Sequence, residues 1–204
     1  MDKVHFTQKA QAGVVRSRSQ QDSGPGNVFQ PRGRFTVEHW RDGELLQTFD
    51  FPNGITNEGK DSILDVYFDS GTQITTWNML LIDNSGYTAL AAGDTYDAID
   101  QAGNGWDEFT DYTDPGNSDS TTTRPEWAPD PASGQSISNG TQTVFDITGS
   151  GTVKGLAIVG GGAASNTKGD HANDGTLWAT ALFDQGDTAV VNSDQLKITY
   201  TVSA

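Results

Sequence analysis

The sequence predicts a mainly β protein: a β-sandwich of jelly-roll or immunoglobulin-like type, with one or two short helices and an extended N-terminal arm. Three observations predict it. Short β-prone runs at 142–148, 152–159, 176–183 and 195–202 are separated by clusters of Gly, Ser, Asn and Asp. An Asp42-Gly43 pair divides two further β-prone runs, the strongest short-range hairpin signal. The runs follow one another without the intervening helices of βαβ units.

Each element has a local reason. Residues 1–33 (including QAGVVRSRSQQDSGPGNVFQPRG) are rich in Gln, Ser, Gly and Pro, and their apolar residues keep no sustained period, so this stretch builds no core alone. It reads either as an unpartnered tail or as a basic docking arm that orders on a partner. From residue 34 the period becomes two: Phe35, Val37, His39 and Arg41 on one face, Thr36, Glu38 and Trp40 on the other. After Asp42-Gly43 a second strand over 44–51 is expected to stop at Pro52-Asn53-Gly54. Thr56 or Asn57 can cap a helix in which Ile63, Leu64, Val66, Tyr67 and Phe68 follow helical spacing, with Gly59 as a weakening residue. The nearly continuous apolar run TTWNMLLID at 75–83 predicts a strand buried on both faces.

Residues 84–143 are the least regular, with a short helix expected near 94–101, a strand near 106–112 and a polar, Pro-rich excursion at 114–134. The body then spans 34–204, as a hairpin plus helix at 34–69 and a main sandwich at 70–204. A length of 204 residues suits one such domain and excludes a fusion of two enzymes.

Charge divides the chain more sharply than hydropathy does. The net charge is −15, yet residues 1–34 hold six of the 12 Lys and Arg against two acids, a balance of +4. The remaining 170 residues balance at −19. This polarity suggests an arm and a body with different partners, and the acidic body argues against wholesale binding of nucleic acid. No window approaches the roughly 18 apolar residues of a membrane span, and the first 15 residues lack the apolar region of a signal peptide. With no Cys, thiolate metal sites, disulfides and Cys nucleophiles are excluded.

Catalytic signatures are absent by pattern. There is no G-x-S-x-G elbow, and His5, His39 and His171 lie in the arm, the first strand and a Gly-rich loop. The Gly149-Ser150-Gly151 and Gly160-Gly161-Gly162 runs lack the Lys-Ser/Thr of a phosphate loop and read as turns. Asp94, Asp97 and Asp100 repeat every third residue, and Asp170, His171 and Asp174 lie close together. Neither run fits an EF-hand loop, and the first reads as a solvated acidic face, so no metal or cofactor is assigned. Pairs among Asp107, Glu108, Asp111 and Glu126 could in principle serve glycoside hydrolysis, but sequence supplies no separation. Trp106, Phe109, Tyr112 and Trp127 surround the irregular region. They either pin the long loop to the sandwich or, with Trp106, Tyr112 and Trp127 beside acids, form a sugar-binding platform. Asn139-Gly140-Thr141 matches a glycosylation sequon and reads as a turn.

Several phrases in order, NGITNEGKDSILDVYFDSGTQITTWNMLLIDNSGYTALAAGDT, GWDEFTDY, TRPEWAPDPASGQSISN, GTVKGLAIVGGG and GTLWATALFDQGDTAVVNSDQLKITYTVSA, resemble a family of tailed-bacteriophage structural proteins encoded among head and tail genes. The resemblance runs over residues 53–204 and leaves the arm outside. It implies a non-enzymatic virion component, assembled in the cytoplasm of a bacterial host, with no catalytic residue. Capsid decoration, a neck or tail position and a fibre-anchoring adaptor all fit the family, and a carbohydrate-binding module is a weaker alternative. A flexible arm that orders on a pre-built lattice favours decoration, because it gains contact area across subunit boundaries at the expense of ordering entropy. The expected partners are the major capsid protein or a neck or tail protein and further copies of the chain as a homo-oligomer, without membrane or specific nucleic acid. The docking residues expected are Lys3, Phe6, Lys9, Arg16, Arg18, Phe29, Arg32 and Arg34.

Overall fold

Alternation of buried and exposed side chains organises the molecule into antiparallel strands that form two layers joined through one shared strand. A computed structural model describes residues 30–100, 103–162, 165–169, 171 and 175–204. Lys3, Phe6, Lys9, Arg16, Arg18 and Phe29 lie outside the described residues, as do Asp170 and Asp174.

The first layer is built on a hairpin. Strand β1 (Arg32–Arg41) turns at Asp42 and Gly43, with φ of 52° and 80°, into β2 (Glu44–Ile55). Positive φ at both central residues is what the Asp-Gly pair supplies. Two expectations shift here. The first strand begins at Arg32, because Arg32, Gly33 and Arg34 pair with Ser203, Val202 and Thr201, so Arg32 and Arg34 belong to the sheet and not to the arm. The second strand does not stop at Pro52-Asn53-Gly54. It runs through them, pairing with β1 as far as Asn53 and then using Gly54 and Ile55 to enter the second layer. Pro52 falls before the residues paired on that second side, where a strand proline is tolerated.

Helix α1 (Asn57–Phe68) follows, capped by the Thr56 hydroxyl, which accepts from the Gly59 amide at 3.0 Å. The buried core strand is β3 (Trp77–Asp83). Among the described residues, 84–100 and 103–107 form an excursion with a short 3-10 turn at Tyr96–Ala98 where a helix over 94–101 is expected. Short strands β4 (Glu108–Phe109), β5 (Tyr112–Thr113), β6 (Glu126–Trp127) and β7 (Ser136–Ser138) lie in and around the polar excursion. The last third supplies β8 (Thr143–Ile147), β9 (Gly151–Gly160), β10 (Thr176–Leu182), β11 (Thr188–Val190) and β12 (Gln195–Ser203). The sheet path is β4-β3-β9-β10-β2-β1-β12-β8-β5, with β11 on β9, β6 on β3 and β7 on β12.

Phe35, Val37, Phe49 and Phe51 from one layer meet Met79, Leu81, Leu156 and Ile158 from the other in the main core. Phe35 stacks on Tyr200 at 4.3 Å and Phe49 on Phe183 at 4.8 Å, so aromatic pairing reinforces the burial. The opposite face of β3 and β9 (Leu80, Ile82, Ala157, Val159) is covered by Tyr96, Ile99 and Trp106. This second cover explains why 77–83 reads as a continuous apolar run: both faces of the strand are buried.

The helix behaves differently from its apolar pattern. Gly59 is its buried residue, seated against the Trp178 backbone, where an added Cβ would stand 2.5 Å from the carbonyl oxygen. From Leu64 onward the helix is exposed, so Leu64, Val66, Tyr67 and Phe68 face outward. Among the described residues no helix is long and apolar enough to cross a membrane.

Candidate functional site

The densest collection of ionisable groups lies where the irregular 100–124 region meets the 165–171 loop. Glu108 reaches it from β4, and its side chain is fully buried. Arg124, just before β6, grips the carboxylate with two bonds, Nε to Oε1 at 3.0 Å and Nη2 to Oε2 at 2.7 Å, and its Nη1 donates to the Ser165 carbonyl at 2.8 Å. Tyr112 donates its hydroxyl to Oε1 at 3.0 Å, and the Gly169 amide donates to Oε2 at 2.9 Å. Asp100 accepts the Glu108 amide at 2.6 Å through one oxygen and faces His171 Nδ1 at 3.2 Å through the other.

The His171 tautomer follows from this geometry. A guanidinium only donates, so His171 Nε2, 2.9 Å from Arg124 Nη2, is the acceptor, and the ring proton sits on Nδ1 toward Asp100. Burial pushes the Glu108 carboxyl upward, but the two Arg124 bonds, the Arg124 charge and the Gly169 amide outweigh it and hold the group at about 2. Burial raises Tyr112 well above its ordinary value, and the Glu108 charge adds to this. Burial also raises Asp100, against the pull of the Glu108 amide and His171.

Asp100, Glu108 and His171 place one ligand atom each within 4.8 Å of one another, a donor set that suits a divalent cation in principle. The surroundings do not fit one. Four donors already occupy the Glu108 oxygens, one of them a permanent cation, and the same cation occupies the free nitrogen of His171. Glu108 is also unsuited to general-acid work, since it is buried and held ionised. The arrangement is a charge-compensated latch that ties β4, β5, the approach to β6 and the 165–171 loop together.

A second latch joins the hairpin to the β11–β12 turn. Asp194, fully buried, accepts Arg41 Nε at 2.6 Å, Arg41 Nη2 at 2.8 Å and the Val191 amide at 2.9 Å, and lies 2.8 Å from His39 Nε2. Burial pushes this carboxyl up as well, and the Arg41, Val191 and His39 contacts bring it down to about 2.

The aromatic residues resolve in favour of pinning. Trp106, Tyr112 and Trp127 are all buried, with Trp106 Nε1 donating to Asp94 at 2.9 Å and Trp127 Nε1 donating to Asn139 at 3.2 Å. No ring face of the three is open to a sugar, which removes the platform. Asp94, Asp97 and Asp100 do not form one solvated helix face. Asp94 is buried beneath Trp106, and Asp100 follows the 3-10 turn at a φ of 56°. Asn139 is buried, donating to the Thr141 and Ile198 carbonyls and accepting the Tyr200 amide, so the sequon marks a structural amide.

No family model matches the chain, and no curated protein or solved structure matches it.

With its buried ionic groups engaged among themselves, the body presents its contact chemistry at the surface. Arg34 pairs with Asp50 at 2.6 Å across the hairpin, and Arg32 is exposed. The larger feature is the end of α1, where Leu64, Val66, Tyr67 and Phe68 are exposed together. In the sequence these four only follow helical spacing, and the seat of Gly59 on Trp178 reveals which way the helix is turned. Arg124 and Glu108, 16 residues apart, carry no joint signal in the sequence, because their pairing exists only once the excursion folds over β3.

Proposed function

We propose that this chain is a non-enzymatic structural component of a tailed-phage virion, a shell-decorating protein attached through its N-terminal segment. The observation that carries this reading is the division of charge about the start of β1: a segment of +2 over residues 1–31 leads into a body of −17, with Arg32 and Arg34 at the root of the first strand. The body is stapled by internal ion pairs, and the buried Glu108 and Asp194 serve those latches, which suits a rigid module more than a reaction centre. The resemblance of residues 53–204 to phage structural proteins points to the same class. Attachment to the major capsid protein would repeat a modest contact over many symmetric copies, so weak individual sites suffice.

Because Arg32 and Gly33 are strand residues, the informative truncation removes residues 1–29 and leaves β1 whole. The truncated protein is expected to keep its near-ultraviolet circular dichroism and to lose co-sedimentation with shells. Undiminished binding by the truncated protein would reject the arm. Quantitative mass spectrometry of virions tests the position: hundreds of copies are expected for decoration, whereas about a dozen or fewer would favour a neck or tail adaptor.

A further inference from the structure

The end of α1 leaves apolar side chains uncovered among the described residues, although Gly71 packs against its Asp65 and Val66 backbone. Leu64, Tyr67 and Phe68 are 53%, 77% and 76% exposed, and the last two rings meet edge to face at 4.9 Å. Apolar surface of this kind is stabilised by any chain that covers it, at roughly 25 cal/mol per Å². Beside the helix, between it and residues 71–76, runs an open groove of about 850 Å³. Glu58, Asp61 and Asp65, at helical spacing i, i+3 and i+7, face it from α1, and no Lys or Arg is among its described lining residues. Glu58 already accepts the Tyr96 and Leu177 amides, at 3.0 and 2.6 Å, which leaves the exposed Asp61 and Asp65 beside the apolar tip, a pairing that fits a basic chain carrying scattered apolar residues.

We propose that the occupant in the free protein is the chain's own N-terminal segment, with Arg16 and Arg18 on Asp61 and Asp65 and neighbouring valines against the apolar tip. Charge supports it, since residues 1–29 hold four bases (Lys3, Lys9, Arg16, Arg18) and two acids. Spacing supports it too. Residues two apart in an extended chain lie about 6.6 Å apart on one side, and residues four apart on a helix are separated by about 6 Å along its axis. Arg16 and Arg18 can therefore meet Asp61 and Asp65 together.

The third argument is reach. The segment enters the sheet at Arg32, and Gly33 pairs with Asn53, four residues before α1 begins. Root and helix thus share one end of the sheet. Twenty-nine residues, at about 3.3 Å each when extended, reach well beyond the roughly 18 Å of α1, and a tether of this length sets the effective concentration of the helix on the order of millimolar. A second copy of α1 is a poorer occupant, because it would set the same acids against each other. The contact concerns the free chain and does not depend on what the protein later attaches to.

The absence of cysteine allows a direct test in the full-length chain. Ser17→Cys combined with Thr72→Cys, which lies in the groove, should form an intramolecular disulfide under mild oxidation about tenfold faster than Ser17→Cys combined with Asn192→Cys, at the far end of the sheet. Adding Asp61→Lys and Asp65→Lys, both at exposed positions, or raising the salt to 1 M should cut that rate about tenfold, as expected for two exposed ion pairs. Circular dichroism of every variant checks that the fold is kept, and the salt series needs no charge variant. Equal rates for the two cysteine pairs, or indifference to both charge reversal and salt, would overturn the proposal. Disulfide-linked dimers would overturn it in favour of a neighbouring copy as the occupant.

Discussion

Arg124 decides the stability of the irregular half of the molecule. Replacing it with Ala leaves the Glu108 carboxylate buried without its cation and is expected to destabilise the protein by about 3–5 kcal/mol in urea unfolding. The double change Glu108→Gln with Arg124→Met should cost clearly less than the sum of the single changes, because it removes both charges together. The same residues set the acid limit. Glu108 and Asp194 sit at about 2, below their ordinary values of 4.5 and 3.8, so the unfolded chain binds more protons as pH falls through that window. Their contribution is complete above about pH 4.5 and is lost progressively toward pH 2. Glu58 and Asp100, raised by burial, oppose this slope at its upper end. Thermal midpoints measured from pH 6 to pH 2 should therefore fall mostly below pH 4.5, and the Arg124→Ala variant should lose part of that fall. None of this was legible in the sequence. His171 lies 63 residues from Glu108, and neither spacing nor composition distinguishes a latch acid from the many solvated ones.

Among the elements, those with a strong period were legible and those made by pairing alone were not. The alternation over 34–41, the Asp42-Gly43 turn and the apolar run before Asp83 each carry a local physical signal, and each forms as expected. Strands β4, β5, β6, β7 and β11 are two or three residues long, too short for any period to emerge, and exist because a longer neighbour offers them a ladder. The helix shows a different limit: its spacing is real, but a glycine contact decides which side is covered. Gly59→Ala should improve intrinsic helix propensity by about 1 kcal/mol and still destabilise the protein by about 1–3 kcal/mol, since the new methyl group meets the Trp178 backbone. Chemical denaturation of this variant gives the sign directly. In the protein lacking residues 1–29, Tyr67→Ser and Phe68→Ser, by contrast, should change stability by no more than about 0.5 kcal/mol while reducing binding of a hydrophobic dye.

For the whole molecule, the sandwich class was readable from the repeated strand and turn rhythm, whereas the sharing of β2 between layers was hidden by a Pro-Asn-Gly that looks like a stop. Since one strand serves both layers, unfolding should be a single transition with equal calorimetric and van't Hoff enthalpies, and a two-step melt would contradict the shared strand. The pairing of β1 with β12 has a consequence for synthesis. The strand from which the basic segment departs finds one of its two neighbours near residue 200, after the intervening sheet has been made. A nascent or truncated chain lacking 195–203 cannot complete the layer around β1, and should remain open to proteolysis. Only a chain translated through β12 can carry the N-terminal segment on a finished body, so completion of the chain itself sets when that segment gains its anchor.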